Sequence, residues 1–340
     1  MTALDDAIRD ATAAANDPNT AKLGRQAWAS TAAYFQSLKP TPPSSGRWPA
    51  QPMTAPVYRQ TAPLASPPLD PNSAAIVANL IANMRGPNGT SAPCIAAHGY
   101  STPVYVQSSG DKAYTVTCPN GALAAHNPIR IPKGARPSPE TDEHMVVLDY
   151  DHGIEFGMYH AKYDATADAW SADYGHAIGF TAVNTGAGSP GANDANLPFV
   201  AGLLVPEHFT GTVKVTSPLH FACNRGSGAI RWPSCTPGEG NTAGQYGPTN
   251  GMWLKLNPSY NIAQLSIGWE KQLAQWFKDV GTVCRDGSSN FSLYAEDIAT
   301  SGRQAPPYPW GSASYPAFSS AFLSMLGQLQ VLAVPVPYQP

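Results

Sequence analysis

From Cys94 onward the chain never sustains a long regular pattern, because apolar runs of a few residues alternate with clusters of Gly, Pro, Asn and Asp. TPVYVQ, AYTVTC, HMVVLDY, IEFGMYHAKY, AWSADYGHAIGF, FVAGLLV, TVKVT, LHFACN, MWLKLN, TVCRD and NFSLYAED each suit one strand. Turn residues at that density interrupt any helix before it lengthens. Short strands at this spacing predict a mostly β fold, a jelly-roll or lectin-like β-sandwich with peripheral helices. Two hairpins are expected. One joins His144–Tyr150 to Ile154–Tyr163 through Asp151-His152-Gly153, and the other joins Thr282–Arg285 to Asn290–Glu296 through Asp286–Ser289.

The first 90 residues read differently, as helices and a Pro-rich strap packed on a β domain of residues 91–340. Residues 3–38 are Ala-rich and suit one or two short helices, and Pro40 to Pro71 must run extended. Helical spacing of apolar residues predicts further helices over Asn72–Arg85, Ala263–Val280 and Ala317–Leu326, the last giving way to a strand at Val331–Val334.

Charge narrows the partners. Charged residues make up 13% of the chain, against about 25% in ordinary globular proteins. With 20 Lys+Arg and 23 Asp+Glu the net charge is -3, which supplies no field to gather phosphate backbones, so nucleic-acid binding is not expected. No apolar segment is long enough for a membrane span. Cys94 with Cys118 and Cys223 with Cys235 are spaced like two local disulfides, leaving Cys284 over, and this pairing predicts a secreted, extracellular protein. Met1–Arg9 lacks the apolar stretch of a signal peptide, so export is expected to use a signal absent from this sequence. No metal-ligand spacing is present, and neither metal nor cofactor is expected.

None of the compact motifs of serine hydrolases, nucleotide-binding loops, dinucleotide folds or zinc peptidases occurs. Polar and aromatic residues are densest at Thr141–Phe180. Strand alternation puts His144, Val146, Leu148 and Tyr150 on one face, and Glu155, Gly157 and Tyr159 together on a neighbouring strip. Sugar rings stack on aromatic faces, and glycosidic cleavage uses two carboxyl groups. Glu155 is therefore expected to be one catalytic carboxylate, with Asp194 or Glu296 as its partner, and His144 is a further catalytic candidate. Tyr159, Trp170, Tyr174, His176 and Trp232 are the expected sugar-binding residues. His160 alternates against Tyr159, so only one of the two is expected to face the groove.

The phrases TDEHMVVLD, MYHA, WSADYGHA, LPFVAGLL, MWLKL and VCRDGSSNFSLYAED, spread over about residues 130–300, resemble a family of uncharacterised bacterial exported proteins. Its members read D-x-H-M-V-V-x-D, W-x-A-x-W-G-G, G-L-P-x-x-x-G-L and Y-G-x-x-V-x-D. This chain departs from that pattern at Gly157, where the family has an acid, and at His176, where it often has Gly. The resemblance implies an exported β-sandwich and no particular chemistry. The functional expectation is a secreted enzyme acting on a polysaccharide or oligosaccharide, a glycoside hydrolase. The alternatives are a polysaccharide lyase, with Tyr174 and His144 or His176 as acid and base and Lys162, Arg231 or Lys255 neutralising a uronate, and a non-catalytic glycan-binding or surface protein.

Overall fold

The computed structural model describes residues 68–85, 92–180, 191–226, 231, 233–234 and 243–333. The expected N-terminal helices and most of the strap lie outside the described residues, as do Trp232 and Cys235. In chain order the elements begin with helix α1 (Ser73–Asn83) and strands β1 (Cys94–Ala96), β2 (Val104–Val106), β3 (Ala113–Tyr114), β4 (Val116–Thr117) and β5 (Ile129–Arg130). There follow β6 (Met145–Asp149), β7 (Ile154–Tyr159), β8 (Lys162–Asp164), β9 (Ala169–Ser171), β10 (Tyr174–Gly179), α2 (Pro206–Thr210), β11 (Leu219–Cys223) and β12 (Trp253–Leu256). The last are α3 (Gly268–Asp279), β13 (Thr282–Gly287), β14 (Ser292–Tyr294), α4 (Ile298–Ser301), α5 (Ser320–Leu326) and β15 (Leu329–Val331).

The protein is mostly β, with few helices and several mixed sheets. A six-stranded sheet runs β1-β14-β11-β13-β12-β15, and a four-stranded sheet runs β10-β7-β6-β2. Two smaller sheets, β3-β5 and β4-β9-β8, complete the set. Parallel pairs at β1–β14, β11–β13 and β2–β6 distinguish these sheets from the all-antiparallel order of a jelly roll.

Side-chain alternation sorts the core into layers. On one face of the large sheet, Ile95, Phe221, Leu254, Cys284 and Leu293 pack against α1, α3 and α5 through Leu80, Phe277 and Phe322. The other face turns Ala96, Ala222 and Tyr294 toward Val146, Leu148 and Tyr150 of the four-stranded sheet, with Phe199, Val200 and Leu203 wedged in the same cluster. The far face of the small sheet buries Met145, Val147, Phe156 and Met158 against Leu123, Ile129 and Trp170.

The expected hairpin forms between β6 and β7, which ends at Tyr159, with Asp149 Oδ1 accepting the His152 N–H at 3.1 Å across the turn. The second expected hairpin does not form. β13 and β14 both pair with β11, which lies between them, so Asp286–Asn290 crosses over the end of β11 rather than closing a tight turn. Among the described residues no two cysteines stand at disulfide distance, and Cys94, Cys118, Cys223 and Cys284 are free thiols; Cys235, the expected partner of Cys223, lies outside the described residues. Cys94 sits in the large sheet beside Ser292 Oγ at 3.2 Å, while Cys118 contacts Asn120 Oδ1 at 2.8 Å beyond the far face of the small sheet. Cys223 instead faces Cys284, with 4.0 Å between sulfurs, because both project from neighbouring strands into the helical side of the core. Close spacing of Cys94 and Cys118 does not bring them together, because Cys94 lies in β1, which pairs with β14, while Cys118 follows β4, which pairs with β9.

Phe322 is fully buried and stacks on Phe318 with ring centroids 4.6 Å apart, joining α5 to the large sheet. Phe322→Ala should lower the unfolding free energy by about 3–5 kcal/mol, measured by urea denaturation with an unchanged m-value.

Candidate functional site

Glu155 occupies the strip of β7 that alternation assigns it, with no solvent exposure. Its carboxylate is saturated from within. The Phe199 and Val200 backbone N–H groups donate to it at 2.6 and 3.1 Å, and His176 Nε2 lies 2.9 Å away on β10. Gly157 makes the His176 position possible, since a Cβ there would lie 2.3 Å from Nε2. The residue thus ties the loop before a short 3-10 turn (Val200–Gly202) to the small sheet.

The other expected catalytic acids are paired in separate places. Asp194 forms an ion pair with Arg225. Glu296, wholly buried, shares Arg303 with Glu207, whose Oε1 lies 2.6 Å from Arg303 Nη1. Neither meets Glu155. His144 is buried, its ring centroid 5.0 Å from Phe199 and 5.4 Å from Tyr159, and burial holds its pKa down to about 3. His176 is buried as well, and Trp170 belongs to the core behind the small sheet. Of the expected sugar-binding residues, Tyr174 is exposed and Tyr159 half-buried. His160 departs from strand alternation, because its φ of 51° swings the ring onto Tyr159, with centroids 3.9 Å apart, where Asp173 Oδ2 takes its Nδ1 at 2.7 Å. The candidate neutralisers are scattered: Lys162 meets Glu143, Arg231 meets Asp70, and Lys255 donates to the Asp279 carbonyl.

An open cavity of about 630 Å³ lies where β11 and β13 end and β1 and β14 begin. Tyr100 and Tyr315 line it together with Cys94, Asp142, the Gly287–Asn290 crossover, Ser292 and Tyr294. Gly99, at a φ of 74°, lets the two sides of the rim close up: the Tyr315 hydroxyl and Glu140 fill the space a Cβ would need, and they lie 3.3 Å from each other. Asp142 is held in place by its carbonyl, which accepts the His160 N–H at 3.0 Å, and Glu143 follows at a φ of 43°. Of the non-glycine residues at positive φ, Tyr100 lines the cavity, Glu143 follows the lining residue Asp142, and His160 is hydrogen-bonded to the Asp142 carbonyl, so strained backbone borders it as it does at functional sites.

Two carboxyl groups feel each other here. Burial raises the Asp142 pKa and the Asp286 charge raises it further, against the opposing pull of His160 and Arg285. Burial also raises Asp286, while Arg285, Arg225 and a 2.9 Å hydrogen bond from the Gly287 N–H favour its ionised form. Arg285 is fully buried, its guanidinium 3.6 Å from the Tyr294 ring centroid and 4.7 Å from that of Phe199, with no hydrogen-bond partner on its three nitrogens. A charged group placed on two ring faces between carboxylates acts as a fixed local field rather than as a contact. Among the described residues no three His, Cys, Asp or Glu side chains converge as a metal site requires.

Asp142, Asp286, Arg285, Tyr100 and Tyr315 carry no mark in the sequence that singles them out. Asp142 and Asp286 flank strand ends next to turn residues, where an acid ordinarily shapes the turn. Their meeting depends on the crossover over β11. The chain matches no family model, and no curated protein and no solved structure matches it. Among the described residues, no helix is long and apolar enough to cross a membrane.

Glu155→Ala leaves two buried N–H groups and His176 unpaired. It should cost about 3–5 kcal/mol of stability, and Glu155→Gln about half that, read by urea unfolding. Burial lowers His144 and His208 to about 3 and drives His220 well below its ordinary 6.5. Between the folded and unfolded values only the unfolded chain takes up these protons, so their contribution is intact above pH 6.5 and lost as pH falls toward 3. Asp142 and Asp286, raised in the folded state, act in the opposite sense just above their ordinary 3.8. Stability should therefore fall from pH 6.5 to 4.5 by up to about 1.4 kcal/mol per pH unit for each histidine, and His144→Gln should flatten the slope.

Proposed function

We propose that the protein is a carbohydrate-active enzyme, a glycoside hydrolase whose carboxyl pair is Asp142 and Asp286. The observation that carries this reading is a pair of raised carboxyl groups beside one tyrosine-rimmed cavity, with the Asp286 charge acting on Asp142. Glycoside cleavage needs one carboxyl group protonated to donate to the leaving oxygen and one ionised to act on the other side of the sugar. Asp142, raised by burial and by its neighbour's charge, is the acid. Asp286, beside two arginines and bonded to the Gly287 N–H, remains ionised as base or nucleophile. Tyr100, Tyr315 and the more distant Tyr159–Tyr174 pair supply stacking faces. The lectin-like part of the reading draws support from two sheets facing one another across a shared apolar layer. Export now rests on the family resemblance alone, since the described cysteines are unpaired.

A broad screen of plant, algal and bacterial polysaccharides by reducing-end release tests the reading. Asp142→Asn and Asp286→Asn should each lower turnover on the order of a hundredfold or more while the chain stays folded. Product release that survives both substitutions, or sugar binding with no release from any polymer, would replace the hydrolase with a glycan-binding protein.

A further inference from the structure

The charges that surround the cavity define the class of sugar it takes. Among the described lining residues Asp142 is the one ionisable acid, and no Lys or Arg lines the cavity. Glu140 adds a second carboxylate at the rim through Tyr315, and Asp286 a third beside Gly287. Each nearby cation is committed elsewhere or walled off. Arg285 lies fully buried against the Tyr294 ring. Arg225 is buried with Asp194 and donates to Asn250 Oδ1 at 3.1 Å. Lys162 is drawn to Glu143 at 3.6 Å, His160 to Asp173, and His98 Nδ1 to the buried Asp297 at 2.8 Å.

We propose that this cavity binds an uncharged or amine-bearing sugar and rejects sugars with a ring carboxylate or sulfate. The proposal rests on the carbohydrate reading and sets its specificity. An acidic ring seated against Tyr100 and Tyr315 would bring a further negative charge beside Glu140 and Asp286, with no Lys or Arg among the described lining residues to pair with it, and the low dielectric of a partly enclosed site magnifies that repulsion. A protonated amine at the same position gains from the same two groups and can hydrogen-bond to Asp142. The β-elimination chemistry of a lyase, which requires its uronate carboxylate to be neutralised, finds no cation among the described lining residues.

Binding and cleavage are measured separately on the full chain. Ligand-observed NMR titrations use methyl glucoside, methyl glucosaminide and methyl glucuronide, which share one ring and differ in charge. The glucosaminide should bind at least as tightly as the glucoside, and the glucuronide about tenfold or more weaker. Glu140→Gln should narrow the gap between glucuronide and glucoside, as should added salt. Equal or tighter binding of the glucuronide, an unchanged gap in Glu140→Gln, or no binding of any of the three overturns the proposal. The charge order without cleavage of any polymer sinks the hydrolase reading and leaves the specificity standing. Cleavage of a uronate polymer faster than its carboxyl-reduced counterpart sinks the specificity and leaves the hydrolase.

Discussion

The fully buried Glu155 carboxylate is the constraint on which the space between the two main sheets depends. A carboxylate removed from water must find donors, and it finds them in the Phe199 and Val200 backbone and in His176. That requirement pulls the segment after residue 191 between the sheets and sets the Phe199 ring against His144, His176 and the Arg285 guanidinium. Arg285 in turn lies on Tyr294, which lines the cavity. Glu155 therefore shapes the site without reaching it, through one ring and one buried cation.

Acid density alone does not find a reactive carboxyl group. Glu155, Asp194 and Glu296 look alike in sequence to Asp142 and Asp286, but the first three have close, complementary partners that consume their charge. Asp142 and Asp286 stand apart because burial works against their ionisation, joined at Asp142 by the charge of Asp286, while each retains partial exposure at or beside the cavity. The distinction lies in the neighbours, and the meeting of Asp142 with Asp286 and Arg285 joins residues more than a hundred positions apart.

Local rules were accurate where the structure is local. The β6–β7 hairpin, the α3 stripe of Leu273 and Phe277, and the inward strip of Glu155, Gly157 and Tyr159 follow from turn chemistry and periodicity. They fail where a distant strand intervenes. β11 separates β13 from β14, and Cys94 and Cys118 join different sheets despite their short separation. The alternation rule breaks once, at His160, whose positive φ no neighbour in the sequence announces.

The sequence by itself determined a mostly β chain, most of its strand positions and its main amphipathic helix, because these depend on repeat period and on turn residues within a few positions; the expected strands at 199–205 and 212–216 do not form, the first becoming a 3-10 turn. Tertiary structure alone decided which strands are neighbours, which cysteines meet, and which of many acids lies in the cavity with another acid's charge acting on it. Those outcomes depend on long-range pairing and on the desolvation each group suffers, and neither is a property of any short stretch of the chain.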